Sequence, residues 1–543
     1  MLVVGAGPVG LTMAAELVRH GLTCRLIDKA ATPTDKSKAL VLWSRSMEML
    51  DAIGIAPSFV ASGLRGRGVN LYTQGERLLH IALAIDSPYN YALLIPQNVT
   101  ERLLAEHAGR LGVRVERSLA LTEFSADETG VTSQLCSVDG QKEQLRSRWL
   151  VGCDGAHSTV RHVLGVPFAG DAEPNDWMLA DIHLEGTLPS DEISIFFHTQ
   201  GVLAFFPIVG GRFRVIADLG LVKNVDRPPD PTLAEVQAMI DQRGPGKLTV
   251  RDPVWLAGFR IHERMVAEYR HGRVFLVGDA AHIHSPAGGQ GMNTGMQDAW
   301  NLAWKLALVH KGRAKDVLLD SYSQERSAIG RAVLRNAGLM TTAATLRNPL
   351  AQGLRDGAYK LFGSLEVVQR GLSNALAEVS IHYRHGPITG ENGGFWNAAT
   401  RLWEGGVHAG DRAPDVEFAE LATGPRLRLF DLLRGSQHIL LLLTDNLSND
   451  DLLAIPDAVE SRFPGIVKMH FVLTPQSARD LPHILDSRTA AATILIDSER
   501  HMQETYGAGA NTLFLIRPDG YVGFRGQPAS GAALLAHLEQ YLV

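Results

Sequence analysis

Three stretches carry residue types at spacings suited to holding a nucleotide cofactor. The first is Gly5-Ala6-Gly7-Pro8-Val9-Gly10, followed by Asp28. In this G-x-G-x-x-G pattern Gly5 permits a tight turn, Gly7 lets a pyrophosphate come close, and Gly10 lets helix pack on strand. Asp28, an acid about 20 residues on, can accept hydrogen bonds from an adenosine ribose, which favours FAD or NAD over NADP here. The second stretch is GCDGAHSTVR at 152–161, a strand end, an Asp154-Gly155 turn and a helix start. Alone it equally fits a simple turn. The third is RVFLVGDAAHIHSPAGGQGMNTGMQDAWNLAWKLAL at 273–308. Its order is strand, Asp279, a Pro/Gly-rich loop at 285–291, then a helix with Met292, Met296, Ala299, Ala303 and Leu306 at helical spacing. A loop without side chains brings amide N–H groups close to a flat or anionic ligand. An ordinary strand–loop–helix turn reads the same way.

Lys38 and Arg45 lie in a segment at 36–50 where basic groups suit phosphates or a flavin edge, or else a solvated helix face. Gln97 precedes a helix expected to run to about residue 111, with Asn98 as N-cap and Glu101 closing a capping box. His282 and His284 lack further ligands at metal-binding spacing, so no metal is expected, and loop histidines with solvent or backbone partners fit better. No Ser–His–Asp pattern or carboxylate pair supplies a catalytic base.

These groups need a scaffold. The chain has 543 residues, 45% hydrophobic and 20% charged, with a formal net charge of −6. That length predicts two to four domains, and that charge argues against nucleic acid or an anionic membrane as partner. No apolar run approaches the roughly 20 residues of a bilayer span, and no signal peptide is evident. Cys24, Cys136 and Cys153 form no CxxC, which excludes a disulfide scaffold and makes the cytoplasm the expected compartment. A βαβ unit is predicted from a strand at 2–4, a helix at 9–19 and a strand at 23–27. Further strands are expected at 113–116 and 144–151. From 178 to 253, segments at 193–197, 202–208 and 213–218 read as an antiparallel sheet. Its Phe196, Phe197, Phe205 and Phe206 are core or the wall of an apolar pocket. Residues 320–380 read as helical. A separate unit follows 408, with strands at 427–433, 438–444, 466–473 and 493–497, a hairpin around Pro518-Asp519-Gly520, and a last helix capped by Ser530.

Taken in order, GAGPVG with Asp28, GCDGAHSTVR and GDAAHIHSPAGGQGMNTGMQDAWNLAWKLA resemble the class A flavoprotein monooxygenases, the para-hydroxybenzoate and phenol hydroxylase type, over residues 1–340. The tail, opening with GDRAPD, resembles the thioredoxin-like domain of the phenol and polyketide hydroxylases. Without CxxC it is expected to be structural or to support a homodimer. The resemblance implies an α/β fold in which an antiparallel-sheet substrate domain interrupts a Rossmann-like FAD-binding domain, with a thioredoxin-like domain behind it. The implied boundaries are 1–175 (with a substrate-side insertion about 70–95), 176–265, 266–385, a linker at 386–407, and 408–543. It implies that Gly5, Gly7, Pro8, Val9 and Gly10 hold the FAD pyrophosphate and Asp28 the ribose. Lys38, Arg45, Gln97, Asp154 and Asp279 would serve the rest of the cofactor. Pro286, Gly289, Gly291, Met292 and Asn293 would line the flavin ring, and Phe197, Phe206 and Pro207 the substrate pocket.

The implied reaction uses NADPH or NADH, O2 and a flavin C4a-hydroperoxide to hydroxylate a phenolic or polycyclic aromatic. The same scaffold also suits epoxidation, Baeyer–Villiger insertion or antibiotic inactivation. A flavin halogenase would carry WxWxIP, which is absent; Trp300 and Trp304 have other spacing. A non-catalytic nucleotide-binding module has no need of three flavin motifs.

Overall fold

The strand Leu2–Val4 is short, apolar and fully buried, and it lies in the middle of a parallel sheet. The computed structural model describes residues 1–222, 228–363, 365–393, 406–420, 426–445, 450–479 and 492–543. Across this sheet the order is Arg270–His271, Val274–Leu276, Leu150–Gly152, Leu2–Val4, Arg25–Asp28 and Val115–Arg117. All neighbours are parallel except the first, antiparallel pair. Strands covered on both faces read as continuous apolar runs, as LVV and VFL do here. The helices Pro8–Arg19 and Gly291–His310 pack on each other above it. Pro8 opens the first of them, where its missing N–H costs nothing. The run expected at 144–151 divides. Lys142–Ser147 pairs in a three-stranded antiparallel sheet with Val131–Ser137 and Leu119–Ala126, and only Leu150–Gly152 enters the parallel sheet.

A second sheet has eight strands, in the order His282–Ile283, Thr249–Met265, Ala169–Glu185, Arg212–Leu221, Gly201–Ile208, Glu192–His198, Gly68–Thr73 and Glu76–Ala82. Alternation along the strands sorts its aromatics by face. Phe196 and Phe205 pack beneath the helix Leu233–Arg243. Ile195 and Phe206 turn the other way, toward Val41, Trp43 and Leu94 of the nucleotide-binding side. Phe197 shares that second face but is packed against Trp177, Ile261 and Tyr359. Pro207 follows Phe206 directly, so it points to the opposite face. It cannot line a pocket together with Phe206, contrary to expectation.

The tail forms its own eight-stranded sheet, in the order Gly390–Gly393, Val522–Gln527, Thr512–Ile516, His438–Thr444, Val467–Leu473, Ala492–Ile496, Glu417–Glu420 and Arg426–Arg428. Two parallel strands, His438–Thr444 and Val467–Leu473, with an antiparallel hairpin beside them, give the thioredoxin-like arrangement. Part of the expected linker is therefore an edge strand, Gly390–Gly393, while 394–405 lies outside the described residues. The strand expected at 427–433 stops at Arg428, where Asp431 Oδ2 accepts the Arg428 amide at 2.9 Å and opens the helical turn Leu429–Leu432.

The hairpin turn at Asp519 enters the nucleotide-binding unit. Arg517 Nη1 reaches Glu325 at 2.6 Å, Lys305 Nζ reaches the same carboxylate at 2.7 Å, and Asn301 donates to Asp519 at 3.2 Å, all of them buried. Buried charges hold only when paired this fully.

Candidate flavin site

The three motif loops leave the carboxyl ends of neighbouring parallel strands, Leu2–Val4, Leu150–Gly152 and Val274–Leu276. That edge is where open α/β sheets bind ligands. Backbone bonds continue past the strand ends and bring the loops into one cluster: Gly5 N to Ile27 O at 2.8 Å, Cys153 N to Val4 O at 2.8 Å, and Val277 N to Gly152 O at 3.0 Å. Gly5 has φ +100°, and a Cβ there would lie 2.4 Å from Cys153 O. A Cβ on Gly10 would lie 1.8 Å from Gly5 O, so only glycine permits that crossing. Val9 fills the contact with the third loop, against Gly278 and Gly295. Gly7 differs: a Cβ there would meet nothing within 4 Å. The first loop thus offers bare backbone to open space at the start of a helix, which suits a diphosphate.

Asp28 Oδ2 accepts the Ala6 amide at 2.6 Å and Oδ1 the Ala30 amide at 2.8 Å, which fixes the carboxylate beside the first loop with lone pairs to spare. Asp279 stands in the turn Gly278–Ala280. Its carboxylate accepts no hydrogen bond from the described residues. It reaches solvent, yet enough protein surrounds it that burial raises its pKa, against the opposing pull of His282 and Lys38. The floor of an open cleft accounts for both properties.

The third loop is rigidly held. Gly289 N donates to Pro286 O at 2.9 Å, and Gly288 and Gly289 both have positive φ. Trp43 Nε1 donates to Gly288 O at 2.7 Å, and Asn293 bridges Trp43 N, Val41 O and Gly289 O, each at 2.9 Å. The Asn293 side chain is thereby used up inside the protein. Only backbone around Gly289, Gly291, Met292 and Asn293 remains to face a ligand, with Pro286 exposed beside it.

Other expected residues fall elsewhere. Arg45 is a correction: its guanidinium is buried between Trp300 and Tyr521 and donates to Asp519 O at 2.7 Å and Glu48 at 3.1 Å. It anchors the tail from a buried position, facing these internal partners, with its Nε left unpaired among the described residues. The carboxylate of Asp154 accepts from Ser158 Oγ and from the amides of Thr159 and Val160, so it braces the second loop and the helix Thr159–Val163. Gln97 is the first residue of the helix Gln97–Arg110, after Pro96, and Asn98 is not its cap. Gln97 Oε1 accepts the Ala39 amide at 3.0 Å and so ties down the segment bearing the exposed Lys38.

Sequence reasoning missed the network behind the third loop. His282 is buried, with Nε2 at 2.8 Å from Asp298, rather than solvated. Asp298 also accepts the Gly278 amide at 3.1 Å and pairs with Arg326 at 2.5 Å, and Arg326 reaches Tyr383. The available signal was the set of polar residues Thr294, Gln297, Asp298, Asn301 and Lys305 in a helix whose apolar spacing marks it as packed. Glu378 accepts from Thr294 Oγ1 at 2.8 Å and Gln297 Nε2 at 2.5 Å, and burial pushes its pKa up to about 7. The folded chain therefore holds this proton more tightly than the unfolded chain, where a glutamate titrates near about 4.3. Its contribution to stability is complete below that value and is lost as pH rises through about 7. Between pH of about 6 and 8, the Glu378→Gln variant should lose on the order of 1 kcal/mol less stability than wild type, read from thermal unfolding at each pH.

Comparison with known proteins establishes the family. The sequence profile of the FAD binding domain matches residues 1–337. The chain is 33% identical to 6-methylpretetramide 4-monooxygenase of Streptomyces rimosus, covering 99% of this chain and 93% of that one. It is 31% identical to pentachlorophenol 4-monooxygenase of Sphingobium chlorophenolicum, covering 100% and 96%. Its fold superposes on aklavinone-11 hydroxylase, solved with FAD and aklavinone, with a TM-score of 0.77 at 25% identity over 99% of this chain and 98% of that one. No helix among the described residues is long and apolar enough to cross a membrane. With the profile match spanning its nucleotide-binding half and these identities spanning its length, the chain belongs to the FAD-binding-domain family of flavin-dependent aromatic monooxygenases.

Proposed function

We propose that this monooxygenase uses NADPH or NADH and O2 to hydroxylate a phenolic or polycyclic aromatic substrate. The carrying observation is that three loops on adjacent strand ends surround the open face of Gly7 and the free carboxylate of Asp279. Bound FAD, once reduced, supplies the oxygen-activating chemistry. The chain's own residues do the rest. The amides of the first loop and the start of the helix Pro8–Arg19 receive the pyrophosphate. Asp28 accepts from the adenosine ribose and Asp279 from the ribityl chain. The N-terminus of the helix Gly291–His310, worth roughly half a positive charge, would favour the anionic edge of a reduced flavin held by the third loop. Phe206 and Ile195 wall the apolar side where substrate and excluded water compete. The relatives named above act on a pretetramide, a chlorinated phenol and aklavinone, which supports a ring-bearing substrate.

The purified protein should be yellow, bleach with NADPH or NADH, and recover its colour in air. An aromatic substrate should speed nicotinamide oxidation and give a product heavier by one oxygen. Asp279→Ala should retain less than roughly a tenth of the bound FAD, about 1.4 kcal/mol of lost affinity. Stoichiometric FAD with full turnover in that variant would refute the assignment.

A further inference from the structure

The helices Pro349–Phe362 and Glu366–Leu376 are both seated on the edge of the eight-stranded sheet. Their inner sides are anchored: Tyr359 stacks on Phe197 with centroids 6.2 Å apart, Thr73 donates to Asp356 at 3.0 Å, Gln369 donates to His80 O at 3.3 Å, and Asn374 donates to Asp86 at 2.7 Å. Their outer sides carry no such partners. Leu350, Leu354 and Leu361 recur on the outer stripe of the first helix, and Val367, Val368 and Leu372 on the second, at exposures from 40% to 84%. Gly357, Ala358, Gly371 and Ala375 extend the stripes and are exposed too. The exposed charges of the two helices are Lys360, Glu366 and Arg370, of both signs, with Arg370 paired to Asp86.

A monomer rarely leaves more than a few hundred Å² of apolar surface in one patch, and these side chains, with Phe362 and Leu365 at the turn, expose on the order of 800 Å². About that area per partner is what a stable dimer buries. An isologous contact sets a surface against itself, so apolar stripes meet apolar stripes, and flanking charges of both signs raise no one-signed repulsion. An anionic lipid surface would instead call for a one-signed basic rim, and the chain carries a net charge of −6. We propose that this helix pair is a homodimer interface, in which the outer stripes of Pro349–Phe362 and Glu366–Leu376 pack against the same stripes of a second copy. This does not rest on the flavin assignment.

Sedimentation velocity of the FAD-loaded full chain at tens of micromolar should give twice the chain mass of 58.9 kDa. The double variant Leu354→Glu/Val367→Glu should sediment as a monomer with at least a hundredfold weaker association, while keeping its flavin absorbance. Both positions are solvent-facing, so folding does not depend on them. A monomeric wild type, or a dimer untouched by the double variant, would overturn the proposal. So would a monomer that floats with phosphatidylcholine vesicles and loses that binding in the variant, which would assign the face to lipid.

Discussion

Gly7→Val should give a folded, colourless protein. A valine at this position points into space where a Cβ would meet nothing within 4 Å, so the free protein accommodates it. The same side chain occupies the approach assigned to the pyrophosphate and separates it from the amides at the start of the helix Pro8–Arg19. The FAD dissociation constant should rise at least a hundredfold, about 2.7 kcal/mol, while the far-ultraviolet circular dichroism stays that of wild type. Gly10→Ala provides the contrast. Its Cβ would sit 1.8 Å from Gly5 O, a backbone atom that cannot swing aside, so this variant should misfold rather than merely lose colour. Equilibrium dialysis with FAD checks the first variant and soluble yield the second. If Gly7→Val keeps stoichiometric FAD, the first loop is not the pyrophosphate site.

Arg517→Met should be the most destabilising single change in the tail. Arg517 pairs with Glu325 at 2.6 Å and with Asp519, and all three side chains are no more than 2% exposed. Methionine fills similar volume but leaves buried carboxylates short of a partner. Removing one member of such a network costs about 3–5 kcal/mol. Lys305 stays at 2.7 Å from Glu325 and softens the loss there, while among the described residues the Asp519 carboxylate keeps Asn301, at 3.2 Å. A chain of this size does not unfold in two states, so the result is read as a fall of several degrees in the first thermal transition. Arg517→Lys should recover part of it, because a compact ammonium cannot fork between two carboxylates. A midpoint within a degree of wild type would show that tail docking does not depend on these charges.

The dependence of tail docking on Arg45 and Arg517 was hidden in the sequence for a physical reason. A basic residue in an amphipathic segment looks alike whether its partner is a phosphate, water or a carbonyl from 474 residues away, as Asp519 O is for Arg45. His282 was misread in the same way, since its partner Asp298 lies a loop and two helix turns downstream. Alternation along Gly201–Ile208 sets Phe206 and Pro207 on opposite faces, and the expectation that both line one pocket overlooked that period.

What the sequence determined by itself was local: glycines at 5, 7 and 10, acids closing strands at 28 and 279, and apolar runs of strand length between them. These follow from backbone sterics and from burial on both faces of a parallel sheet, which act within a few residues. Only the tertiary structure decided which charges were spent on internal pairing and which stayed free. That depends on what long-range packing brings within about 3 Å, a distance at which one partner replaces another. So Asp279 remains open to a ligand while Asp154, Asn293 and Arg45 are committed to holding the loops and the tail in place.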